Sequence, residues 1–133
     1  MTELSKEFKI VLIIDIIIGL IYGILYVFLP DLVYSTNDAP YYDPHFWRLF
    51  GGVILSIAIV VIIAFLLKKD WEEIKFFVVS VVIFLIISVI INITSALYVT
   101  RSATNLGFHW LDTILMIILI VIHGFFYMRE EKK

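Results

Sequence analysis

Two charged pairs can be drawn across the apolar stretches of this 133-residue chain. Asp15 lies six residues past Lys9 in the first stretch, and His123 lies six residues before Arg129 in the last. At the helical rise of 1.5 Å per residue, each sits about 9 Å from its charged end. They therefore share a depth and can meet across two helices. A carboxylate there must pair, reach water or carry a proton. The contact is either a buried structural hydrogen bond or a proton-coupling element. The second pair is Arg48, at the start of the second stretch, with Asp112, near the start of the fourth. At about 100° per residue, Asp15, Gly19, Tyr22, Gly23 and Tyr26 share one face. His109, Asp112, Thr113, Met116, Ile120, His123 and Tyr127 form one stripe, and Arg48, Gly52 and Ser56 follow i, i+4 spacing. Ser88, Asn92 and Ser95 cluster on the third stretch.

If these faces converge, they line an outward-facing polar pocket. Its candidate ligand-binding residues are Tyr22, Tyr26, Arg48, Asn92, His109 and Asp112, with Arg48 and Asp112 as the charged pair. The competing expectation is a polar seam that fastens helices together, a common use of Ser, Thr and Asn in membranes. No nucleophile elbow, phosphate loop or zinc-protease motif occurs, so no catalytic residues are assigned, although Asp112 with His109 could do acid–base work near the outer surface. The chain has no cysteine, which excludes disulfides, thiol catalysis and Cys-ligated metal centres. His109 and His123 are spaced like a pair of haem ligands, but the third histidine, His45, is no match for them, so no cofactor is expected. Asp38, Asp43 and His45 occupy a short polar loop and read as turn residues rather than metal ligands.

The elements that must position these residues are four apolar runs at roughly 9–29, 46–67, 75–98 and 108–128. A hydrocarbon core about 30 Å thick needs about 20 helical residues to cross it, and each run suffices. The chain is 62% hydrophobic and 17% charged, far from a soluble profile. Lys6 and Lys9 before the first run imitate a secretory signal, but the run is long and no small-x-small site follows, so it reads as a retained span. Pro30 ends it, and an outer loop over 30–45 follows. Asp43 before Pro44 is an N-cap with proline at the first helical position. Asp70 with Glu73 forms a capping box.

Eight of the ten Lys and Arg residues fall before the first run, around the second connection or after the last run, leaving Arg48 and Arg101. By the positive-inside rule both termini are then cytoplasmic. The expectation is one all-α domain over 1–133, an antiparallel up-down-up-down four-transmembrane-helix bundle in the cell membrane. The lipid bilayer is its one certain partner. No basic cluster is large enough to hold nucleic acid.

Phe46-Trp47-Arg48-Leu49-Phe50-Gly51-Gly52, with Lys69-Asp70-Trp71-Glu72-Glu73-Ile74-Lys75, resembles a pattern in small four-helix membrane proteins of archaea and bacteria, loosely similar to the DoxX-like group. The resemblance implies a four-helix bundle and a loose association with quinone-linked or redox membrane complexes. It supplies no catalytic residues. The expected function is non-enzymatic: a small or lipidic ligand bound in the polar pocket, or membership of a larger membrane assembly. Gly19 and Gly23 form a G-x-x-x-G that would serve ordinary packing or a homo-oligomer. The alternative is a proton-coupled small-molecule transporter using Asp15 and His123.

Overall fold

The computed structural model describes residues 3–37, 43–67, 69–98 and 103–132. They form five α-helices: α1 (Lys6–Phe28), α2 (Pro30–Asn37), α3 (Pro44–Leu66), α4 (Trp71–Tyr98) and α5 (Ala103–Glu130). No strand occurs among the described residues. The helices α1, α3, α4 and most of α5 are long and apolar enough to cross a membrane. Ile10, Ile13, Ile17, Ile21 and Ile24 stand exposed along α1, and α3, α4 and α5 carry similar outward-facing rows. Such surface is untenable in water but costs nothing against lipid tails.

Local chemistry sets the helix ends. The Ser5 hydroxyl accepts from the Phe8 N–H at 3.3 Å and caps α1. At its other end α1 cannot run through Pro30, which lacks an N–H. The expected loop over 30–45 is instead partly helical: Pro30 sits at the first turn of α2, where that N–H is not needed. Asp43 caps α3 by accepting from His45 N–H at 2.9 Å. The capping box at α4 is reciprocal: Glu73 N–H donates to Asp70 at 3.2 Å, and Asp70 N–H donates to Glu73 at 3.1 Å. Helices α4 and α5 start four to five residues before the apolar runs do, because each helix includes a polar first turn that hydropathy alone excludes. Asp38 and Arg101 lie outside the described residues.

Contacts between helices run in opposite numerical directions. Ser5 meets Glu130, Asp15 meets His123 and Tyr22 meets Asp112, so α1 and α5 are antiparallel. Gly23 faces Leu55 and Gly19 faces Ala58, so α1 and α3 are antiparallel too. Both chain ends and the α3–α4 connection therefore gather at one end of the bundle. That end is densely filled. Phe8 is wholly buried, stacks on Phe126 at 5.4 Å and meets Trp71 edge-on at 6.0 Å. Leu4, Leu12, Val61, Ile74 and Val78 complete the buried cluster. The Trp71 indole N–H donates to Glu131 at 2.8 Å, and buried Glu130 accepts from the Ser5 N–H at 3.2 Å and from its hydroxyl.

The closest approach lies between α1 and α3. A Cβ at Gly23 would stand 2.5 Å from Leu55 Cγ, and one at Gly19 would stand 2.9 Å from Ala58 Cβ. From the other side, a Cβ at Gly51 would stand 2.6 Å from Tyr26 Cβ and 2.9 Å from the Val27 backbone nitrogen. The face bearing Gly19 and Gly23, read from the sequence as serving ordinary packing or a homo-oligomer, packs against α3 of the same chain. Lipid gives apolar helices no hydrophobic reason to associate, so close van der Waals contact must hold them. Gly23→Leu should therefore lower thermal stability in detergent by roughly 1–3 kcal/mol, the usual cost of overpacking. Gly124→Ala, with nothing within 4 Å of its added methyl, should leave the melting temperature unchanged.

Candidate functional site

Away from the termini the two helix pairs, α1 with α3 and α4 with α5, are bridged by side chains rather than by close backbone approach. A partly enclosed cavity of about 350 Å³ opens between them, lined by all four spanning helices. That size falls at the lower end of the range for small-molecule pockets, roughly 300–1,000 Å³.

Its α1–α3 wall is aromatic. Tyr22 and Tyr26 stack at 6.4 Å between ring centroids, Tyr26 lies 5.5 Å from Trp47 and 5.4 Å from Phe50, and Phe50 stacks on Phe84 of α4 at 6.2 Å. The geometry of α3 follows from Gly51. Trp47, Gly51, Ile54 and Ala58 occupy one helical face at i, i+4, i+7 and i+11, and pressing Gly51 onto Tyr26 turns that face inward. Trp47 and Phe50 are not among the expected ligand-binding residues. Trp47 shares its face with Gly51, and Phe50 lies one turn from both Trp47 and Ile54, which is the signal that places them at the cavity.

The α4–α5 wall carries the polar groups. The Tyr22 hydroxyl donates to Asp112 Oδ1 at 2.9 Å across the cavity. His109 is buried, and its Nε2–H donates to the Asn92 carbonyl at 2.7 Å. The Asn92 amide donates to Thr113 Oγ1 at 3.4 Å, and the Thr113 hydroxyl donates to the His109 carbonyl at 2.8 Å. His109, Asn92 and Thr113 are thus a clasp between α4 and α5, and Ser88 and Ser95 extend the polar strip. Five of the six expected ligand-binding residues, Tyr22, Tyr26, Asn92, His109 and Asp112, line one cavity.

Arg48 is the exception. It stands exposed and lines a separate shallow groove with His45, Leu49, Gly52, Val53 and Ser56. The expected Arg48–Asp112 pair does not form. Gly51 and Gly52 are neighbours about 100° apart on α3. Only one can face α1, and since Gly51 does, the stripe containing Gly52, Arg48 and Ser56 faces away.

The other expected pair does form. His123 Nε2 lies 2.8 Å from Asp15 Oδ2, and His123 Nδ1–H donates to the Leu119 carbonyl at 2.8 Å. A carbonyl only accepts, so Nδ1 carries a hydrogen, and the contact with Asp15 then needs a further proton shared between nitrogen and oxygen. Ile18, one turn beyond Asp15, and Leu119, one turn before His123, both line the cavity. The Asp15–His123 pair therefore lies just beneath the cavity floor, between it and the aromatic cluster around Phe8.

No family model, curated protein or solved structure matches the chain. The DoxX-like resemblance accordingly rests on its two sequence segments alone, and the site is read from its own geometry.

His123 is 1% exposed, so losing its partner leaves a buried ring nitrogen unsatisfied. Asp15→Leu should cost about 1–3 kcal/mol in a reversible unfolding assay. A double-mutant cycle with His123→Ala should return a coupling of about 1 kcal/mol or more, the upper range for polar pairs between membrane helices.

Proposed function

We propose that this chain is a small, non-enzymatic, multi-pass membrane protein that binds a small or lipidic ligand in the cavity between its helix pairs. One observation carries the reading: a cavity of about 350 Å³ whose walls are mostly apolar and whose few polar groups converge around Asp112, Asn92 and His109. Apolar walls with a few placed polar groups are the ordinary makeup of a ligand site. The filled end and the hollow end differ in kind, so access comes from the side away from the termini. The distribution of Lys and Arg supports a cell-membrane protein with both termini in the cytoplasm, which turns the hollow end outward.

Native mass spectrometry of the protein purified in mild detergent tests the binding role. A specific lipid or small-molecule mass should be retained by the wild-type chain and lost in Asp112→Ala and Tyr26→Ala, but kept in Arg48→Ala. A chain free of any adduct under gentle conditions would count against the pocket and leave an assembly subunit as the better reading. Orientation is checked separately. The chain lacks cysteine, so single cysteines at Lys132 and Asp43 can be labelled in intact cells. Only the one at Asp43 should react with a membrane-impermeant maleimide.

A second reading is favoured by the Asp15–His123 contact of 2.8 Å directly beneath the cavity. A shared proton adjoining a ligand site is the arrangement a proton-coupled transporter needs. In that case Asp15→Asn should abolish proton-dependent uptake or efflux in vesicles while the protein still folds. Transport unaffected by that change would remove this reading and leave Asp15 a structural residue.

A further inference from the structure

The rotation of α3 that sends Arg48 away from the cavity also decides the charge inside it. Among the described residues, Asp112 is the one Asp, Glu, Lys or Arg that lines the cavity. Its Oδ1 accepts from Tyr22, and no Lys or Arg of the described residues pairs with it. The other titratable group with a hydrogen-bonding nitrogen, His109, has its Nε2–H committed to the Asn92 carbonyl. Facing this carboxylate across the cavity stand four aromatic rings, Tyr22, Tyr26, Trp47 and Phe50, in a chain of contacts between 5.4 and 6.4 Å.

An aromatic ring presents negative charge on its face, so rings and carboxylate attract the same kind of guest. An anion would be repelled by both. A neutral guest would shut a carboxylate away from water with no counter-charge, which is costly. A hard metal ion wants several oxygen or nitrogen ligands, and no group of three His, Cys, Asp or Glu suited to a metal occurs among the described residues. Resting on the reading of this cavity as a ligand site, we propose that it binds an organic cation. The guest is a protonated or alkylated amine on an apolar body, with its ammonium held between Asp112 and the Tyr26–Trp47 aromatics. Such a guest joins the α1–α3 wall to the α4–α5 wall, replacing contact that the helices do not make themselves. The amine can belong to a lipid headgroup or to a free small molecule, since both offer the same chemistry.

Three probes sharing one body separate the charge from the cavity: 4-phenylbutylamine, 4-phenylbutanol and 4-phenylbutanoate. Binding is measured by titration calorimetry on the full chain in detergent, with empty micelles subtracted. The ammonium should bind at least about tenfold tighter than the alcohol, in keeping with a desolvated cation–π and charge contact. The carboxylate should bind weakest. Asp112→Asn should bring the ammonium down to the alcohol's affinity, and Arg48→Ala should leave the order intact. Should Asp112→Asn not fold, Trp47→Leu decides instead, by weakening the amine more than the alcohol. Equal binding of amine and alcohol, or tighter binding of the carboxylate, overturns the cation assignment while the cavity stands as a site. Failure of all three to bind removes the site itself and the assignment with it. In protein taken straight from membranes, native mass spectrometry separates the sources. An aminophospholipid mass points to the headgroup, a smaller amine to a soluble guest, and an anionic adduct retained equally by Asp112→Asn overturns the proposal.

Discussion

Helix α1 rests on α3 with almost no side chain between them, and the arrangement of the other helices depends on that contact. Lipid tails solvate Ile and Leu as well as another helix does, so apolar surface alone supplies no reason for two spans to pair. Three glycines remove the obstacle. Gly19 and Gly23 admit Ala58 and Leu55, and Gly51 admits Tyr26 Cβ and the backbone and side chain of Val27. The fit fixes the rotation of α3. It brings Trp47 and Ile54 towards the bundle interior and turns Arg48, Gly52 and Ser56 outward. The shape of the cavity and its lone carboxylate are both consequences.

A different kind of contact joins this pair to α4 and α5. Along α1, hydrogen bonds reach α5 at three depths: Ser5 to Glu130, Asp15 to His123, and Tyr22 to Asp112. Polar bridges between spans hold a fixed register while allowing the backbones to stand apart. Near the termini large rings fill the gap, with Phe8, Trp71 and Phe126 packed together. Farther along, Ser88, Asn92 and Ser95 are too small to fill it, and the gap persists as the cavity. One end of the molecule is therefore filled and the other hollow, with Asp15 and His123 at the boundary.

Much of the architecture was legible in the residues. Four apolar runs of spanning length, Pro30 as a break, Asp43 before Pro44 and the Asp70–Glu73 capping box all act locally, so spacing alone locates them. Asp15 with His123 was legible for a related reason: a charged residue deep in an apolar run must find a partner, and only one residue shares its depth on a suitable face. The short helix α2 was not, because eight residues with Pro, Asp, Ser, Thr and Asn among them read as a loop, and its order comes from packing against α1, α3 and α5.

What the sequence by itself determined is the number of long apolar helices, their antiparallel order and the relative depth of the polar residues along them, since hydropathy and helical rise are properties of short segments. What only the tertiary structure decided is which face of each helix looks inward. Arg48 and Asp112 lie at matching depths near one end, and charge alone would have joined them. The close fit of Gly51 on Tyr26 outweighs that attraction, because a misplaced glycine contact forces backbones apart over its whole length, whereas an exposed guanidinium can find other partners near the membrane surface. Similarly, Gly19 and Gly23 offer the same flat face to any helix, and their spacing is silent about which one takes it. The answer depends on the volumes of Leu55 and Ala58, residues more than thirty positions away.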